Sequence, residues 1–208
     1  MSNYKNNVLH KTLLIAGERA KKILSYAHNS TNDERNYFLN IIKNVVFTYY
    51  PNNTIKSETW YYNEKIHRTY GPAYVKYKYD GTIDYEYWAI NGLLHRKHGP
   101  AHIIYFTTNT PQCETWYMNN KIHRIGYWPA RLEFYSNGAI KCKSWYKHGK
   151  FHRLFKPAIV DYWPSGTKRY ESWVINGIKH RKNGCAVILY DIDGNVEKQI
   201  NYLNDVEF

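Results

Sequence analysis

The chain has 208 residues, 22% of them charged and 17% aromatic, and a formal net charge of +12. This balance excludes a disordered polyelectrolyte and points to a folded, aromatic-rich β protein. No run reaches the ~20 apolar residues of a membrane span; the stretch Leu13 to Ala16, cut by Glu18 and Arg19, is too short for a secretory signal; and an odd number of cysteines without a Cys-x-x-Cys pair suits a reducing compartment, so a soluble, intracellular protein is expected.

Residues 1–46 carry a helical period. Leu9, Leu13, Ala16, Ala20, Ile23 or Leu24 and Ala27 recur at helical spacing, so residues 8–28 read as an amphipathic helix weakened by Gly17. Thr31 with Glu34 forms a capping box that opens a second helix, with an apolar stripe at Tyr37, Phe38, Ile41, Ile42, Val45 and Val46. The short Asn29 to Asn32 connection makes the two an antiparallel helical hairpin.

From Phe47 the period becomes 2 and the sequence repeats itself. Trp60, Trp88, Trp116, Trp145 and Trp173 are separated by 28, 28, 29 and 28 residues. The pairs His67-Arg68, His95-Arg96, His123-Arg124, His152-Arg153 and His180-Arg181 keep the same step. Such a period marks a repeat array, in which each unit buries its apolar face against the next. The second unit is the clearest: Tyr74 to Tyr79 alternates, Asp80-Gly81 turns, Thr82 to Ile90 alternates, and Asn91-Gly92 turns again. The expected fold is mainly β: an elongated, twisted antiparallel β-meander of ~28-residue hairpin repeats. It spans residues 47–208, five full repeats and a partial one, behind an N-terminal helical hairpin cap over residues 1–46.

Within a unit, Glu and Trp two residues apart share one face of a strand, and the His-Arg pair lies just across the Asn-Gly turn. Stacked units then place the Trp, His and Arg side chains in structural columns and let each Glu reach an Arg. Cys113 and Cys142 hold equivalent places in neighbouring units, on the order of 10 Å apart, too far for a disulfide. All three cysteines, including Cys185, read as free thiols.

The unit Glu-Thr-Trp-Tyr-Tyr-Asn-Glu-Lys-Ile-His-Arg-Thr-Tyr-Gly-Pro-Ala at residues 58–73 and its in-register companions resemble the MORN-like repeats found in bacteria and abundant in large DNA viruses. The resemblance covers about residues 47–200. It implies a twisted antiparallel β-meander commonly used for protein contacts and dimerisation, and in some members proposed to meet lipids. It also implies a viral protein meeting a host or viral partner inside the infected cell, in the host cytoplasm or nucleus. The abundance of Asn, Lys, Ile and Tyr would suit an AT-rich genome.

No enzyme is expected, and no catalytic, cofactor-binding or metal-ligating residue. Equivalent histidines about 10 Å apart cannot share one ion whose ligands sit near 2.1 Å from it. Neither a Gly-x-Ser-x-Gly elbow nor a phosphate-cradling Gly-x-x-x-x-Gly-Lys loop is present.

The departures from the repeat carry the functional signal. Four units have Glu before Trp, namely Glu58, Glu86, Glu114 and Glu171, but the fourth has Lys143. The loop ahead of it gains one residue and becomes Ile125-Gly126-Tyr127-Trp128; the next reads Leu154-Phe155-Lys156. These loops should line one edge of the array with Tyr70, Lys97, His98 and Lys182. Residues 132–159 hold six basic side chains against Glu133, whereas residues 188–208 hold five acids against Lys198. Tyr127, Trp128, Phe155, Lys141, Lys143, Lys147, Lys150 and Lys156 therefore read as contacts for an unidentified protein partner, mixing aromatic anchors with cations. The same face suits nucleic acid or anionic membrane, and the same residues are also compatible with Trp128 and Phe155 packing on their neighbours beneath solvated lysines. A meander leaves two open edges, so a homodimer is expected.

Overall fold

The computed structural model describes residues 44–207. The expected helical hairpin lies outside the described residues, apart from its last positions. There the reading needs correction: Val45 and Val46, assigned to a helical stripe, stand in a strand and pair with Trp60 and Thr59. Their β-branched side chains are restricted at χ1 and suit a pleated surface better than a helix end.

The rest is a meander. The hairpins are β1 (Val45–Tyr49) with β2 (Ile55–Tyr62), β3 (Tyr74–Tyr77) with β4 (Ile83–Tyr87), and β5 (His102–Tyr105) with β6 (Pro111–Thr115). They continue as β7 (Arg131–Phe134) with β8 (Ile140–Ser144), β9 (Ile159–Tyr162) with β10 (Lys168–Ser172), and β11 (Val187–Tyr190) with β12 (Val196–Ile200). These strands hydrogen-bond in chain order within one 13-stranded sheet, and Lys65–Ile66 pairs with β2 off that path. No helix among the described residues is long and apolar enough to cross a membrane.

Two kinds of turn produce the period. Asp80-Gly81 closes a hairpin in which Lys78 N–H donates to Thr82 O, and the Asp80 carboxylate accepts from the Thr82 N–H and hydroxyl. Asn91-Gly92 closes a two-residue ribbon, Ala89–Ile90 with Leu93–Leu94, with both turn residues at positive φ (51° and 82°). That conformation matches the right-handed twist of the flanking strands and favours Asn and Gly. Each long hairpin also carries a bulge, at which the strand register skips Lys56, Asp84, Gln112, Lys141, Arg169 and Glu197. All six are polar, and bulges sharpen the local twist.

Alternation sorts the side chains into two faces. One cross-strand row runs Phe47, Glu58, Val75, Glu86, Ile103, Glu114, Leu132, Lys143, Val160, Glu171, Ile188, Gln199. The opposite face holds Tyr74 stacked on Tyr87, with ring centroids 4.9 Å apart. A single sheet has no second layer to cover it, so it is closed by the His-Arg loops. Each arginine lays its guanidinium over the tryptophan of its own unit, 3.6–3.9 Å from the ring centre, for Arg68, Arg96, Arg124, Arg153 and Arg181. Such contacts contribute about 0.5–2 kcal/mol each. The same guanidinium donates to the carbonyl of Pro72, Pro100, Pro129, Pro157 or Cys185 at 2.8–3.2 Å. The next residue is always alanine, 0–1% exposed, and its carbonyl accepts from the backbone N–H of that tryptophan. Any larger side chain would have to displace this contact.

The histidines tie each unit to the next. Nδ1 of His67, His95, His152 and His180 lies 2.8–3.0 Å from the side-chain amide of Asn91, Asn119, Asn176 and Asn204, the turn asparagines one unit on. His123 instead accepts from the backbone N–H of His148, whose ring stacks on it at 4.8 Å. The three columns of Trp, His and Arg, five residues in each, are therefore packed into the fold.

Two outcomes check this architecture. A Cβ built on Gly99, at φ +146°, falls 2.9 Å from Arg96 Cζ, whereas one on Gly138, at φ +84°, meets nothing within 4 Å. Thermal unfolding should show Gly99→Ala losing about 1–3 kcal/mol, and clearly more than Gly138→Ala, which carries backbone strain alone. The three cysteines are free. Burial, then hydrogen bonding to Asp161, pushes Cys142 up to about 12, and burial also raises Cys113. A thiol reagent at pH 8 should therefore modify only half-buried Cys185 quickly in the native protein, and all three after unfolding.

Candidate functional site

The acidic row is where the units differ most. Each acid is followed by an aromatic residue at the end of the next strand, and in three units a phenol hydroxyl donates to the carboxylate. Tyr77 reaches Glu58 at 3.2 Å, Tyr105 reaches Glu86 at 2.7 Å and Tyr190 reaches Glu171 at 2.6 Å. Glu58 also accepts from the Trp60 indole and pairs with Arg68 at 3.4 Å. The third unit keeps its acid but has Phe134 at the tyrosine register. The fourth keeps Tyr162 but has lost its acid: Lys143 stands there instead, its Nζ 5.2 Å from the Tyr162 ring centre. Carboxylate and phenol are thus separated between adjacent units.

The loops change at the same place. Gly71, Gly99 and Gly184 precede the Pro or Cys of units one, two and five, at φ of +148°, +146° and +106°, and their bare backbone lies against the arginine. Units three and four place Trp128 and Lys156 there. Positive φ then moves to Gly126 (91°) and Phe155 (62°), and two large side chains project where the other units have none. Trp128 sits 5.8 Å from the Arg124 guanidinium as well. The Trp145 indole, with no acid beside it, donates to the Tyr127 carbonyl at 2.8 Å. The lengthened loop thus accepts an indole N–H that in unit one goes to the carboxylate of Glu58.

These changes open a cleft of about 810 Å³ on the acidic-row face. Trp116, Trp128 and Trp145 wall it, Leu132, Ile140, Val160 and Tyr162 floor it, and Arg124, Lys143, Arg153, Lys156 and Lys168 supply positive charge. Glu114 and Glu171 stand at its ends on the row. Glu171 is held by Lys168 at 2.8 Å and by Tyr190. Burial raises the Glu114 carboxyl above the usual range, against the pull of Arg124 and Arg96. Burial also lowers Arg124 and Arg153; Glu114 opposes this at Arg124, whereas at Arg153 only Tyr162 does.

Of the residues singled out from sequence, Tyr127, Trp128, Lys143 and Lys156 meet in the cleft, together with Trp145 and Arg153 of the structural columns. Four lie elsewhere. Lys141 is the exposed bulge residue of β8. Lys147 and Lys150 pair across the ribbon turn at His148-Gly149, with the Lys150 stem beside Gly177. Phe155 is 96% exposed at its loop tip. Tyr162 and Glu114 also line the cleft, and their signal is the aromatic that trails the acid position by 19 residues in units one, two, four and five and by 20, as Phe134, in the lengthened third unit.

A second groove, about 540 Å³, lies on the opposite face among Tyr85, Tyr87, His102, Ile104 and Tyr117. Among the described residues no cluster of three or more His, Cys, Asp or Glu could hold a metal ion.

The raised Glu114 carboxyl fixes a sign. Its contribution to stability is present below the unfolded pKa and is lost as pH rises through the folded one. Glu114→Gln should therefore raise the melting temperature at pH 7, and the gain should vanish near pH 4, where the acid is protonated in both states; paired melting curves across this range check it. No family model matches the chain, and no curated protein matches it in sequence.

Proposed function

We propose that the chain is a non-enzymatic, MORN-like repeat scaffold that binds a protein partner through the cleft of units three and four and associates with itself. The observation that carries this reading is where the repeat breaks: the Glu, the loop glycines and the loop length all change around one 810 Å³ cleft and nowhere else to this extent. Large apolar side chains fringe it. Tyr127, 95% exposed, and Trp128, 68% exposed, belong to its lining, and Ile125, Leu154 and Phe155 are exposed on the same two loops outside it. Phe155 also holds a left-handed conformation that costs a non-glycine residue of order 1–3 kcal/mol, and its side chain adds nothing to the fold. Aromatic anchors in a cation-lined pocket are what binding hot spots are made of.

Self-association has support from the ends of the sheet. The last long strand, β12, is exposed at four of its five positions and among the described residues pairs on one side only, which leaves a template for another chain. A viral setting, with a host or viral partner in cytoplasm or nucleus, rests on the repeat resemblance alone. A second reading, nucleic acid or anionic membrane, is favoured by one observation, the cations among the tryptophans of the cleft.

Binding to duplex DNA, single-stranded RNA and anionic liposomes across ~50–200 mM salt, with light scattering on the same sample, separates the two. The scaffold reading expects no salt-sensitive binding and a mass twice the 24.9 kDa of one chain. Binding that collapses with salt and disappears in Lys143→Glu plus Lys147→Glu would replace it with a polyanion binder.

A further inference from the structure

On the reading of the cleft as a partner-binding face, we propose that its fourth unit is a vacated carboxylate receptor, which takes a Glu or Asp side chain from an acidic, aromatic-flanked peptide segment of the partner protein. The fold itself displays what such a receptor looks like. In unit one, Glu58 is held by Arg68 at 3.4 Å, by the Tyr77 hydroxyl at 3.2 Å and by the Trp60 indole. In units two and five the phenols of Tyr105 and Tyr190 hold Glu86 and Glu171. Unit four keeps the arginine and the phenol but not the acid, and its indole N–H is taken by the Tyr127 carbonyl at 2.8 Å. Arg153 lies 3.6 Å over Trp145, anchored on the Pro157 carbonyl at 3.2 Å, and Tyr162 occupies the phenol register. Lys143 replaces the acid on the strand, a second cation beside Arg153 in the cleft lining, with its Nζ 5.2 Å from the centre of the Tyr162 ring.

Among the described residues no carboxylate refills the position; the Tyr127 carbonyl takes the indole N–H alone and brings no charge. The next acid along the row, Glu171, is already engaged by Lys168 at 2.8 Å and by Tyr190. The previous one, Glu114, interacts with Arg124 and Arg96. Among the described residues no carboxylate pairs with Lys143 or Arg153. Two cations in a partly buried cleft with no carboxylate paired to either are unfavourable alone and favour an anion that pairs with them.

The walls select which anion. Glu114 and Glu171 stand at the two ends of the cleft, so a continuous phosphate backbone would have to run past two acids, whereas one carboxylate fits between them. Trp128 and Trp145 flank this position above Leu132 and Val160, which suits an aromatic or aliphatic residue beside the acid. Charge complementarity and the apolar walls together specify a short peptide rather than a free ion.

The test titrates the full chain with the capped pentapeptide Gly-Phe-Glu-Phe-Gly and its Gln counterpart, read by tryptophan fluorescence and by NMR. The expected result is binding of the Glu peptide at least about tenfold tighter than the Gln peptide. Lys143→Glu restores the acid of the other units and should melt no lower than the original, yet abolish that preference. Equal binding of both peptides, lost in Trp128→Ala, would overturn the carboxylate receptor and leave the partner face standing. No binding of either at millimolar concentration would overturn the receptor too. An oligothymidylate that outcompetes the Glu peptide and depends on Lys143 would overturn the peptide occupant and, with it, the protein-partner reading.

Discussion

Everything in this sheet depends on the arginine that lies on its unit's tryptophan. A sheet without a second layer leaves one row of backbone carbonyls and one column of large rings open to water, and the guanidinium satisfies both: its flat face covers the indole while its edge donates to the carbonyl before the buried alanine. Planarity and a fixed fork of donors make this possible, and the compact ammonium of lysine offers neither. The buried alanine in every unit, and in units one, two and five the positive-φ glycine three residues on, pack against this one placement.

The departures in the third and fourth units are understandable as changes to the same device. The arginine and tryptophan are kept, so the unit still folds. What changes is the third participant, the carboxylate, together with the glycine whose bareness let the loop lie flat. Removing an acid from beside a half-buried indole would leave the indole N–H without an acceptor, and the extra loop residue turns the Tyr127 carbonyl into that acceptor. Structure is preserved locally while charge is inverted, and this separates an altered site from a merely decayed repeat.

The meander, its hairpin turns and its Trp, His and Arg columns were legible in the sequence, because Asn-Gly and Asp-Gly punctuation and strict alternation act over a few residues. The helix-to-strand boundary was not, since Val45 and Val46 satisfy both periods and only pairing with β2 decides between them. The cleft was half legible. Tyr127, Trp128, Lys143 and Lys156 were marked by breaking the consensus, but Lys141, Lys147 and Lys150 were grouped with them by net charge, and charge does not say which way a side chain leaves the backbone. The bulge sends Lys141 aside and the ribbon carries the other two off. Tyr162 escaped notice because it matches the consensus; it matters through what has gone missing 19 residues before it, a relation that register reveals and spacing within one unit does not.

The tie between units three and four is also unlike the others: His123 meets a second imidazole, His148, at 4.8 Å where each of the other ties has an asparagine. Burial, then His148, depresses the His123 pKa, so this link holds above the ordinary histidine range and weakens as acid charges the ring. The cleft straddles this tie, and a guest seated from Trp116 to Trp145 would bridge units three and four at the one histidine link that acid weakens by charging two stacked rings.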